Sequence, residues 1–111
     1  MKDCILMLEA LGEETRAAMV ELIGKHPKGI SPGEIVKALA LPQPSVSHHA
    51  GILSRAGLIV RHKAGRGALF TIHHDNIKRL AAEIAALIPG RSAKKKPAKP
   101  APIVAPEGPE A

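Results

Sequence analysis

Residues 41–58 read Leu-Pro-Gln-Pro-Ser-Val-Ser-His-His-Ala-Gly-Ile-Leu-Ser-Arg-Ala-Gly-Leu, and this run restricts the fold more than any other part of the chain. Val46, Ala50 and Leu53 recur at i, i+4 and i+7, which gives one apolar helical stripe that can face a core. The opposite side of such a helix carries Pro44, Ser47, His48, Gly51 and Arg55. A solvated helix would more often carry Glu–Lys pairs there. Short polar and cationic side chains instead let the backbone approach another surface and leave Ser, His and Arg free to hydrogen-bond, as a helix entering a DNA groove requires. Pro44 suits the first turn, where its missing N–H would have had no partner, and Gly57 suits a left-handed stop. An apolar strand follows at once, so the outline is a recognition helix running into a β-wing.

The charge pattern points the same way. Formal net charge is +6, and no acidic residue lies between Glu34 and Asp75, a stretch that holds Lys37, Arg55, Arg61, Lys63, Arg66 and five of the six histidines. An acid-free zone coinciding with the helix and wing is the footprint expected of a surface for the phosphate backbone. With one Phe and no Trp or Tyr, readers that stack bases on aromatic rings are disfavoured, and so are RNA and single-stranded DNA as ligands. Double-stranded DNA is the expected partner.

Taken in order, 111 residues with 45% apolar content predict one modest aliphatic domain over 1–88. Residues 2–11 form a short helix that is apolar over much of its circumference. Gly12 breaks it, and Glu13-Glu14-Thr15-Arg16 opens a second helix with acids where they favour the macrodipole. Arg16 is expected to pair structurally rather than to touch DNA. Ala18, Met19, Leu22 and Ile23 carry the apolar face, and Gly24-Lys25-His26-Pro27 ends the helix. Ser31, Pro32 and Glu34 spell a capping box for a short helix ending near Ala40. With Leu41-Pro42-Gln43 as the turn, this helix braces the recognition helix in a helix-turn-helix.

Residues 58–60 then predict a strand, 61–67 a hairpin tip and 68–72 the return strand. Gly65 and Gly67 flank Arg66 and let the loop present its guanidinium to the minor groove or its phosphates. Asp75 is expected to cap a last helix through roughly Ile88, its stripe formed by Ile77, Leu80, Ala81, Ile84, Leu87 and Ile88. Together the first and last helices would leave an apolar patch exposed on a monomer, which predicts a homodimer sealed by the terminal helices. From Pro89 the chain turns to Pro, Ala and Lys, including Lys94-Lys95-Lys96, and 89–111 is expected to be a disordered basic tail. The fold class expected is mainly α with a two-stranded β-wing, a winged helix-turn-helix.

Several pieces together, Ala10-Leu11-Gly12-Glu13-Glu14-Thr15-Arg16, Ser45-Val46-Ser47-His48-His49 followed by Ile52-Leu53, Ala56-Gly57-Leu58-Ile59 and the wing Gly65-Arg66, resemble the ArsR/SmtB family of dimeric winged-helix bacterial repressors. The resemblance covers about residues 5–88 in order and spacing. It implies an inverted-repeat operator, repression by occlusion and release on binding an inducer. Carried over, Gln43, Ser45, Ser47 and His48 would face the groove, with Arg55 and Arg66 on backbone or minor groove; Arg61 and Lys63 of the basic wing complete the candidate DNA-binding set. His49, toward the apolar side, is assigned to packing or a buried hydrogen bond. Pro42, Pro44 and Ala50 depart from the family pattern in this region.

The resemblance also implies where metals bind in some members, and the required donors are missing. The bracing helix reads Ser31-Pro32-Gly33-Glu34-Ile35-Val36 without a thiolate, and the last-helix metal positions hold His74, Asn76, Leu87 and Gly90. Adjacent His73 and His74 make a poor chelating pair, and Cys4, the single cysteine, is expected to be a small core residue. No metal or cofactor is expected, and the inducer is not indicated. No Gly-rich phosphate loop and no nucleophile–base constellation is present, which argues against an enzyme. With no secretory apolar region and no long apolar span, a cytoplasmic, nucleoid-associated regulator without a membrane partner is expected. The alternatives are an architectural, non-specific DNA binder or a winged-helix module for protein partners.

Overall fold

The helix-turn-helix turns on one residue, Ala40, which sits in the left-handed region at φ 54° and ψ 44°. The computed structural model describes residues 1–90, and the basic tail expected from Pro89 lies, from residue 91 onward, outside the described residues. A 3-10 turn, Lys2–Cys4, leads into α1 (Ile5–Leu11), α2 (Glu14–Gly24), α3 (Pro32–Leu39), α4 (Gln43–Ala56), strands β1 (Ile59–Ala64) and β2 (Gly67–Ile72), and α5 (His74–Ala85). This is the mainly α, winged helix-turn-helix architecture that the spacing predicts.

Each junction has a local cause. The Ser31 N–H donates to Glu34 Oε1 at 2.9 Å and the Glu34 N–H to Ser31 Oγ at 3.2 Å, the expected capping box. The first of these bonds is also the main cause holding the Glu34 carboxyl below its ordinary range. At the far end of α3, the Leu41 N–H returns to the Val36 carbonyl at 3.3 Å, so the left-handed Ala40 satisfies the helix end but carries a Cβ penalty. Ala40→Gly is therefore expected to raise stability by about 1 kcal/mol, read as an upward shift of the urea midpoint; no gain would show that the turn holds no strain.

The core gathers Met19 and Ile23 of α2, Ile35 of α3, Val46, Ala50 and Leu53 of α4, Leu58, Ile59, Phe70 and Leu80, with Cys4, Met7 and Ala10 beneath the N-terminus. Cys4 is wholly buried, as a small core residue would be. Val46, Ala50 and Leu53 are the predicted inner stripe of the recognition helix. Phe70 does a second job that periodicity does not show: its N–H and C=O bond to the carbonyl and N–H of Ile30 at 2.9 and 3.1 Å. The wing is thus fixed to the segment that starts α3.

Three boundaries differ from expectation. The first strand runs on through Arg61, His62 and Lys63 to Ala64, so the tip is Gly65-Arg66 alone. Gly65, at φ 56°, takes the positive φ that a two-residue hairpin loop needs at its first position. The cap of α5 is His73, not Asp75: His73 Nδ1 accepts the Asn76 N–H at 3.2 Å, and the His73 N–H donates to the Leu58 carbonyl at 3.0 Å. Strand pairing delivers the chain extended at His73, and Asp75 falls in the first turn, where its charge still favours the helix dipole. Finally, α5 ends at Ala85 and the chain continues to Ile88 in i→i−3 turns, Leu87 to Ile84 and Ile88 to Ala85; Pro89 disfavours helical backbone at the residue before it.

Candidate nucleic-acid interface

A 14-residue helix with Pro44 in its first turn and Gly57 at its stop presents the surface expected of a reading helix. Gln43, Pro44, Ser47, His48 and Arg55 are exposed on α4, while Ser45 is half-buried. The antiparallel register sets what the wing adds. Arg61 pairs with Phe70 and Lys63 with Ala68, and cross-strand partners share a face. Phe70 and Ala68 are buried, so Arg61 leaves the sheet on the side that meets α4. His62 leaves on the other side, where its Nε2 lies 2.8 Å from Thr71 Oγ1.

Between α4 and the wing lies a groove of about 440 Å³ bordered by Gln43, Ser47, Ser54, Arg55 and Arg61 over a floor that includes Phe70. The structure therefore brings together four of the candidate residues, Gln43, Ser47, Arg55 and Arg61, from two elements. His48 is exposed on α4 without bordering this groove, and Lys63 and Arg66 are exposed farther out on the hairpin. Ser54 was missed, although it stands seven residues after Ser47 and so on the same helical face. Pro32, at the start of α3, also borders the groove; only the tertiary arrangement puts it there.

Gly51 shapes this surface by having no side chain. A Cβ there would lie 3.3 Å from Arg55 Nη1, so the guanidinium lies back along the helix over the glycine. Gly51→Ala should then have opposite effects on two quantities. Stability should rise by about 0.5–1 kcal/mol through helix propensity, while DNA affinity falls because Arg55 is displaced. Parallel thermal unfolding and DNA titration check this, and gains in both would remove Arg55 from its assigned position.

Behind this exposed face, α4 is held by a polar tie. Arg16 Nε donates to the Ala10 carbonyl at 2.7 Å, and its Nη1 lies 3.2 Å from His49 Nδ1. Glu13 Oε1 lies 4.0 Å from both Arg16 Nη1 and His49 Nδ1 and accepts the Arg16 backbone N–H at 2.9 Å. That backbone bond is the main cause keeping the Glu13 carboxyl below its ordinary range. Arg16 and His49 were each expected to be structural; that they are each other's partner, 33 positions apart, was not visible from spacing.

The histidines and the cysteine outside this surface have local surroundings of their own. Cys4 is buried in the core, His73 Nδ1 is taken by the cap of α5, and no group of three His, Cys, Asp or Glu side chains converges among the described residues.

The chain is similar to known proteins along this same framework. Residues 11–62, from the end of α1 into the wing, match a helix-turn-helix domain family. An uncharacterized HTH-type transcriptional regulator of Methanocaldococcus jannaschii is 30% identical over 74 residues, which are 67% of this chain and 82% of that protein. The transcriptional repressor SmtB of Mycobacterium tuberculosis is 36% identical over 70 residues, 61% of this chain and 50% of SmtB, so the chain spans about half of that relative's length. The fold is shared with the homodimeric winged helix-turn-helix DNA-binding domain from Mycobacterium bovis at TM-score 0.64, 17% identity and 78% coverage of each chain. The first two are HTH-type transcriptional regulators, and the third is a DNA-binding domain. Through the M. jannaschii relative, the chain belongs to the HTH-type transcriptional regulators, and in sequence it is similar to the repressor SmtB.

Proposed function

We propose that this DNA-binding regulator is a homodimeric repressor in which each protomer sets α4 into the major groove of one half of an inverted-repeat operator. The groove between α4 and the wing, bordered by Gln43, Ser47, Arg55 and Arg61, carries the proposal. It lies inside the 35–74 stretch that has no carboxylate, so nothing on these elements repels phosphate. Gln43, Ser47 and His48 are proposed to meet base edges; Arg55, Arg61 and Lys63 to meet the backbone; Arg66 to meet the minor groove or its phosphates. Ser45, half-buried at the start of α4, completes the groove-facing set.

Dimerisation is supported by the exposed apolar residues Ile5 on α1 and Ile84, Leu87 and Ile88 on and after α5. They lie on and after the two terminal helices, and a second copy would remove them from water. The M. bovis domain of the same fold is a homodimer. Among the described residues no helix is long and apolar enough to cross a membrane, and the regulator is proposed to act in the cytoplasm. The domain is proposed to end near residue 88, with the Lys/Pro/Ala segment after it adding salt-sensitive attraction to DNA.

The test is selection of bound duplex from a random pool at near-physiological salt. An enriched inverted repeat with half-sites about one helical turn apart supports the proposal; enrichment of generic duplex overturns it in favour of an architectural role. The wing is tested separately by Arg66→Ala, which should weaken operator binding by about three- to tenfold and reduce the salt slope by about one. Unfolding should not change, since Arg66 is exposed at the loop tip. Unaltered affinity would take the tip out of the interface.

A further inference from the structure

A second cleft of about 440 Å³ lies on the other side of α4, bordered by Leu6, Glu9 and Ala10 of α1, Arg16 of α2, and Ile52, Arg55 and Ala56 of α4. Its volume is that of a small-molecule pocket. Leu6, Ala10, Ile52 and Ala56 supply apolar walls, and the two guanidiniums exceed the one carboxylate, so the cleft is complementary to an anion with an apolar body. Arg16 is already held by Ala10 and His49, whereas Arg55 makes no ion pair among the described residues. Arg55 also borders the groove between α4 and the wing, which makes it the one charged side chain common to both cavities.

We propose that this cleft binds a small aromatic or aliphatic carboxylate, and that the bound carboxylate weakens DNA binding by giving Arg55 a competing partner. The coupling rests on the operator-binding proposal; ligand binding in the cleft does not. A carboxylate on Arg55 cancels the charge that the groove offers to phosphate, so occupation of one cavity opposes occupation of the other, and by linkage DNA opposes the carboxylate equally.

The experiment titrates benzoate and octanoate, and the uncharged benzamide and octanamide, into the full chain without DNA while backbone amide NMR signals are followed. Saturable shifts at Leu6, Ala10, Ile52 and Ala56 with the carboxylates, at least about tenfold weaker with the amides, are expected. Glu9→Gln should tighten carboxylate binding by removing a like charge. Leu6→Ala should weaken it with little change in unfolding, because Leu6 is 64% exposed. Equal binding of the amides, no saturable shift, or shifts that follow protein concentration and ignore the carboxylates would overturn the site; the last outcome would assign the cleft to a second copy. DNA affinity is then measured with saturating benzoate. A fall of about threefold or more in the native chain but not in Leu6→Ala supports the coupling, and unchanged affinity with a filled cleft overturns it. Failure to bind any DNA overturns the operator proposal and the coupling while leaving the cleft titration to stand.

Discussion

Gly57→Val is expected to destabilise the protein by about 3 kcal/mol, the sum of left-handed strain for a β-branched residue and a lost hydrogen bond. Gly57 stops α4 at φ 88° and ψ 16°. Its N–H reaches the Ser54 carbonyl at 3.1 Å while the Leu58 N–H reaches Leu53 at 3.0 Å, the bond pair of a Schellman motif. A side chain there meets a second obstacle, since a Cβ would lie 2.8 Å from Asn76 Nδ2. That amide donates to the Gly57 carbonyl at 2.9 Å and ties the end of the recognition helix to α5. The midpoint of thermal unfolding should fall by roughly 10–20 °C in a domain of this size. Gly57→Ala should fall between, and Gly57→Val introduced into Asn76→Ala should lose less than in the native chain, because the clash is gone. A full and equal loss in both backgrounds would show that backbone strain alone accounts for the effect.

Arg16→Ala is expected to be next in size, with a loss of about 2 kcal/mol. The guanidinium joins three elements: it caps the Ala10 carbonyl in the last turn of α1, stands in the first turn of α2 and reaches His49 in the middle of α4. Its side chain is 15% exposed, so water can replace these partners only in part. At seven residues α1 is too short to hold itself, and it should loosen first. Arg16→Lys keeps the charge but not the two-pronged reach, and should recover less than half of the loss. At a temperature where the variant is fully folded, DNA affinity should still fall, because His49 no longer fixes the rotation of α4. Stability close to that of the native chain would show that the tie does not contribute, and a normal affinity in the folded variant would separate it from DNA reading.

The two variants mark the limit between what a linear reading can and cannot reach. The ends and faces of α4 are local matters. Val46, Ala50 and Leu53 repeat within one helix, Pro44 and Gly57 act on their own backbone, and Ser31 and Glu34 cap each other across three residues. Such patterns persist in any fold that contains the helix, and they also give the small, cationic outer face from which Gln43, Ser47, His48 and Arg55 follow. The acid-free stretch is equally plain in the sequence, because charge content does not depend on conformation.

Other features were settled by partners far along the chain. Arg61-His62-Lys63 lacks an apolar alternation, so it resembles a loop; pairing with Phe70, Leu69 and Ala68 makes it a strand and sends Arg61 toward α4. The cap of α5 passed from Asp75, the better capping residue by type, to His73, because the His73 N–H is fixed by Leu58. His49 acquired Arg16, and Gly57 acquired Asn76, across 33 and 19 positions. By itself the sequence determined which surfaces α4 would have and where its charge would lie, since periodicity and caps act within a turn or two. Only the tertiary structure decided which residues share a groove with it, because strand register and side-chain partners between distant segments exist only once the core has closed.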